Sequence, residues 1–154
     1  MNKKQKDYIF NVNWEDRFKN IHKVGLLAQI DDIYYFLMRD RRNAENAYKT
    51  GFIGISGFDA GKIYKSQELF DFFKSRVLNK KDMNPCEELA ESKGISMIDS
   101  FSVEQVSERI AHKYKEAILK AYEIQEKREQ LQENSNDNKE VGTTNTQTDG
   151  LHSL

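Results

Sequence analysis

Residues 51–78, GFIGISGFDAGKIYKSQELFDFFKSRVL, carry half of the eight glycines and five of the nine phenylalanines. Glycine lets a backbone turn sharply or approach another backbone closely. Phenylalanine brings the largest apolar area per residue. A stretch dense in both reads as a short strand over 52–55, a glycine loop over 56–61, a brief strand over 62–64, and then a helix driven into a core. Ser66 is placed to cap that helix, with Glu68 in its first turn. Leu69, Phe70, Phe72, Phe73, Val77 and Leu78 leave it little polar surface, so it must be packed on most sides.

On the N-terminal side, KVGLLAQ and IYYFLM flank Ile30-Asp31-Asp32, the clearest hairpin in the chain. Both arms are apolar on consecutive positions, which implies cover on both faces of at least one strand. Tyr8, Phe10 and Val12 alternate as a short first strand, whereas Trp14, Phe18 and Ile21 are spaced as on a helix that Asn13 could cap. Residues 40–49, DRRNAENAYK, read as a short exposed helix capped by Asp40 and stopped at Gly51.

On the C-terminal side, Asn84-Pro85-Cys86-Glu87 is a helix start, with Gly94 as its stop. ISMIDSF returns as a strand or extended arm. Ser102-Val103-Glu104-Gln105 reads as a second capping box opening a long helix from Val103 to Gln132. Its apolar stripe is Val103, Val106, Ile110, Tyr114, Ala117, Ala121, Ile124 and Leu131, widened by Ile118 and Tyr122. From Glu133 onward only Val141, Leu151 and Leu154 are apolar, too few to order the segment. The expected organisation is an α+β domain over 1–101, a long helix over 102–132 and a disordered polar tail over 133–154. The fold class is α+β: a small, mostly antiparallel sheet with helices packed on one side, followed by the long helix and tail.

Charge and cysteine content narrow the function classes. Lys and Arg number 24 against 25 Asp and Glu, a net charge of −1, so no global field draws nucleic acid or an anionic membrane. Nucleic acid is expected only through a partner. One cysteine, Cys86, excludes an internal disulfide and a multi-cysteine zinc site. The N-terminus has no apolar signal core, and no run reaches the roughly 20 apolar residues of a membrane span. A cytoplasmic protein is expected.

The candidate sites are mostly better explained by structure than by chemistry. Gly57-Phe58-Asp59-Ala60-Gly61-Lys62 is one residue short of a phosphate-binding loop and has Ile63 in place of its hydroxyl, so a plain turn is favoured. Asp31-Asp32 and Glu87-Glu88 have turn and helix-start roles. His22, His112 and His152 share no metal-ligand spacing. Cys86 lies near a helix N-terminus without a neighbouring base, and burial is the better reading. Arg39, Arg41 and Arg42 form a solvated basic cluster. No catalytic residue, cofactor or metal is expected. The phenylalanine helix is different: Phe52, Phe58, Phe70, Phe72 and Phe73 crowd a small interior, so beside the default reading of core packing stands the alternative that part of that surface, Phe58 with one helix face, meets another protein.

In order along the chain, KVGLLAQIDDIYYFLM, GFIGISGF, IYKSQELFDFFKSRV and GISMIDSF resemble the N-terminal subdomain of HipA-type serine/threonine kinases, over about residues 23–103. The resemblance implies a non-catalytic module that sits against the kinase domain and contributes to the surface used by the partner antitoxin. The chain is similar in length to the stand-alone, HipS-like antitoxin form, which neutralises the kinase in trans. Lys81-Asp82-Met83 stands where the family has Arg-Pro-Asp, and the long helix has no counterpart. The implied function is to bind and restrain a HipA-type kinase, with Phe58, Phe70, Phe73 and Arg76 as partner-binding residues. The alternative is an assembly adaptor that uses the long helix for oligomerisation.

Overall fold

The computed structural model describes residues 6–75, 77, 83–91 and 100–138, with side chains to 133. Five strands form one antiparallel sheet: β1 (Tyr8–Glu15), β2 (Ile21–Ile30), β3 (Ile33–Met38), β4 (Ile63–Ser66) and β5 (Phe101–Gln105), in the order β4-β3-β2-β1-β5. Three short helices, α1 (Glu45–Lys49), α2 (Asp71–Lys74) and α3 (Pro85–Glu91), precede the 31-residue α4 (Glu108–Asn138). The α+β class and the mainly antiparallel sheet are as the sequence implied.

The β2–β3 hairpin forms where expected. Ile30 pairs with Ile33 across a two-residue turn, in which Asp31 and Asp32 take φ of 51° and 68°. Two successive positive φ values match the right-handed twist of the flanking strands. Both faces of this hairpin are covered. Leu27, Tyr34, Phe36 and Met38 enter the larger core with the three short helices. Ala28, Ile30 and Tyr35 enter a smaller one with Ile118 of α4. The short helices thus share one face, and the long helix takes the other.

Several boundaries differ from the sequence reading. Trp14 and Ile21 lie in strands, and Asp16 holds the connecting turn, so no helix forms there. The pairing that β1 gains from both β2 and β5 outweighs the helical spacing. Asp40 caps a single turn through Asn43, and α1 begins only at Glu45. Residues 52–55 are not a strand: Gly51 and Gly54 take φ of 116° and 93°, which lets Phe52 and Ile55 dip into the core while Ile53 stays exposed. The phenylalanine helix shortens to α2. Phe70 is extended, with φ −63° and ψ 144°, so the helix begins only at Asp71, while Leu69, Phe70 and Phe73 all pack into the larger core.

Asn84 caps α3 as expected, its Oδ1 accepting the Cys86 N–H at 2.8 Å. The stop at Gly94 and residues 95–99 of the strand or arm expected over 95–101 lie outside the described residues, and Phe101 opens β5. The long helix does not open at Val103. Residues Phe101–Gln105 are β5, with Val103 paired to Val12 and buried, so the division after residue 101 falls inside a strand. Ladder hydrogen bonds along the flank of β1 win over the capping box. At its far end α4 continues past Gln132 to Asn138. The tail expected beyond that helix falls, from 139, outside the described residues.

The face of α4 that packs is also shifted. Ile118 is buried, with Ala111, Tyr114, Leu119 and Tyr122 partly buried around it, whereas Ile110, Ile124 and Leu131 are exposed. Lys115 Nζ donates to Asp7 Oδ2 at 2.6 Å, and Asp7 Oδ1 accepts the Asp31 N–H at 3.1 Å. One carboxylate thereby ties α4 to the hairpin turn.

Candidate interaction surface

The crowding of phenylalanines resolves into a continuous layer of rings across the larger core. Phe36, on β3, is its hub, with Phe58 at 4.6 Å, Phe73 at 5.3 Å and Phe70 at 6.3 Å between ring centroids. The layer runs outward through Phe58 to Tyr64 at 5.0 Å. It runs the other way through Phe73, Phe72 and Phe101 to Phe52, Tyr48 and Trp14. Most of these contacts are edge-on or tilted, the arrangement aromatic quadrupoles favour.

The loop carrying Phe58 is held through its backbone N–H groups. The Gly61 N–H donates to the Met38 carbonyl at 2.8 Å, and the Asp59 N–H donates to Tyr64 Oη at 2.8 Å. Gly57 and Gly61 take φ of 94° and 81°, which side chains resist. Lys62 leads into β4. A phosphate-binding loop needs a helix N-terminus at that point.

Of the residues expected to meet a partner, Phe73 is completely buried, so it supports the surface from below. Phe58 and Phe70 are half-buried and lie 5.6 Å apart between ring centroids, forming a rim at the β4 side of the layer. Arg76 lies outside the described residues. Phe36 and Tyr64 were not singled out from sequence. The usable signal was the period-2 alternation that puts Tyr34 and Phe36 on one face, but finding Tyr64 needed the β3–β4 register.

A second cluster superficially suggests chemistry. His22 Nε2 contacts Asp16 Oδ2 at 2.8 Å and lies 3.5 Å from Thr50 Oγ1. A hydroxyl–imidazole–carboxylate relay needs the two partners on opposite ring nitrogens; here both face the same one. The Thr50 hydroxyl instead caps α1 through the carbonyls of Asn46 and Ala47. Burial pushes the Asp16 carboxyl up, but the hydrogen bond from His22 and the N–H groups of Asn20 and Phe18 outweigh it and hold the group at about 2. The cluster closes the β1–β2 turn.

Cys86 is fully buried, and burial pushes its thiol up to about 12, the opposite of an activated thiolate. Asp31 and Asp32 are the hairpin turn; Glu87 and Glu88 lie in the first turn of α3. His112 pairs with Glu116 at 3.3 Å; His152 lies outside the described residues. Arg41 stacks on Tyr48, and the Arg39 carbonyl accepts from Tyr48 Oη. Among the described residues no group of His, Cys, Asp and Glu is placed to hold a metal, and no helix is long and apolar enough to cross a membrane. Compared with family models, curated proteins and solved structures, the chain matches none.

Proposed function

We propose that the chain is a non-enzymatic protein-binding module that binds and restrains a HipA-type serine/threonine kinase through the Phe58–Phe70 rim. The observation that carries the reading is the pairing of two half-buried aromatic rings on a buried aromatic foundation. Rigid aromatic side chains supported from below make efficient anchors because little side-chain entropy is lost when a partner covers them. The ordered resemblance of residues 23–103 to the kinase subdomain supplies the class of partner.

The test is co-purification. The tagged chain is expressed in its source cell and the retained proteins are identified. Recovery of a serine/threonine kinase, lost with Phe58→Glu, is the expected result. Recovery of no kinase overturns the proposal.

A further inference from the structure

The sequence stripe of α4 splits in the folded chain. Ile118 and Tyr122 face the sheet, while Ile110, Ala117, Ile124 and Leu131, which recur every seventh residue, stay on the surface. Ile110 and Ile124 are 43% exposed and Leu131 is 67% exposed; Ala117 and Ala121 are exposed too. At about 100° per residue these positions lie roughly opposite Lys115, the residue that ties α4 to Asp7 and the hairpin turn. They form a second apolar flank that nothing in the described fold covers.

Two features define what suits this flank. Its centre is Ala117 and Ala121, which let another helix approach closely. One border is a lysine row, Lys113, Lys120 and Lys127, each three residues after an apolar member and therefore beside it. Arg128 stands in line with the stripe. Glu116 and Glu123 lie beyond the lysines, with His112 and Lys127 as partners. The helix also runs on past Gln125, its last bond to the sheet, for about 20 Å at about 1.5 Å per residue.

We propose that the flank formed by Ile110, Ala117, Ala121, Ile124 and Leu131 docks an amphipathic helix of another protein whose own apolar stripe is bordered by aspartate and glutamate. A second copy of this chain fits poorly. An antiparallel pair sets the lysine rows against each other, and a parallel pair sets them against Ala111, Ile118 and Gln125, which already face their own sheet. The surface lies on the opposite face of the sheet from Phe58 and Phe70, so it stands or falls separately from the kinase reading.

Two synthetic helical peptides of about 28 residues, with leucine at the a and d heptad positions, provide the probe: one has glutamate at e and g, the other lysine. Both are titrated against the full chain by fluorescence anisotropy. The acidic peptide is expected to bind about tenfold or more tighter, with a preference that fades as salt rises. The net charge of −1 means that a global field does not supply this preference. The triple change K113E/K120E/K127E is expected to invert it, and Ile124→Glu to weaken the acidic peptide about tenfold. These side chains are exposed, and circular dichroism checks that the variants fold. Equal binding of both peptides, binding of neither, or a homodimer in sedimentation equilibrium that Ile124→Glu dissolves would overturn the proposal. The last result would make the flank a self-assembly interface.

Discussion

The side chain of Gln125 meets the backbone of Ile63 twice: its Nε2 donates to the Ile63 carbonyl and its Oε1 accepts the Ile63 N–H, both at 2.9 Å. Ile63 belongs to β4, an edge strand whose outward N–H and C=O groups have no neighbouring strand among the described residues. A primary carboxamide presents the same donor–acceptor pair as a peptide unit. Gln125 therefore occupies the edge as another strand would and fixes α4 at its far crossing of the sheet. Exposed edges invite pairing with other chains, and this contact blunts one.

Gln125→Ala should destabilise the fold by about 1–2 kcal/mol, the range for removing partners from partly buried backbone groups. Urea unfolding measures the loss. Hydrogen exchange at the Ile63 amide should accelerate in the same variant, whereas Gln125→Asn, one methylene shorter, should restore neither.

Gly25 sits beside the register shift of the β1–β2 pair, where an added Cβ would lie 2.9 Å from the Leu37 carbonyl oxygen and 3.1 Å from the Phe36 ring. The obstacle includes backbone of the central sheet, which cannot swing aside. Gly25→Ala is expected to cost about 1–3 kcal/mol by overpacking, read as a lower thermal midpoint.

Asp16 gives a pH prediction. Its carboxyl is held at about 2 against an ordinary 3.8, so the folded chain binds that proton less readily than the unfolded chain. The contribution is complete above about pH 3.8 and is lost as pH falls through about 2. Asp16→Asn should flatten the stability profile across this window. Trp14, whose ring centroid lies 5.8 Å from that of His22, is a fluorescence reporter beside the cluster.

Phe73 and Phe58 should separate stability from binding. Phe73→Ala removes a completely buried ring and should cost about 3–5 kcal/mol. Phe58→Ala removes a half-buried one, so the chain should stay folded while kinase affinity drops about tenfold or more. Calorimetric titration and urea unfolding of both variants check this. Equal kinase affinity for Phe58→Ala and the natural chain would remove the rim from the proposed interface.

Local chemistry was legible wherever a few neighbouring residues suffice. Apolar runs about Asp31-Asp32 made a hairpin, Asn84-Pro85 began a helix, and the phenylalanines between 52 and 73 entered a core. Each depends on backbone preference or on the need to bury apolar area, both of which are present in the chain before it folds. Three other outcomes needed the assembled sheet. Val103 became strand because Val12 offered a ladder, the chain stayed extended at Phe70 so that the helix began only at Asp71, and α4 turned Ile118 to the sheet and left Ile124 outside. Periodicity specifies that a helix has an apolar side; which of two neighbouring stripes is buried depends on where Asp7 and Ile63 stand to receive Lys115 and Gln125, and only the tertiary structure places them.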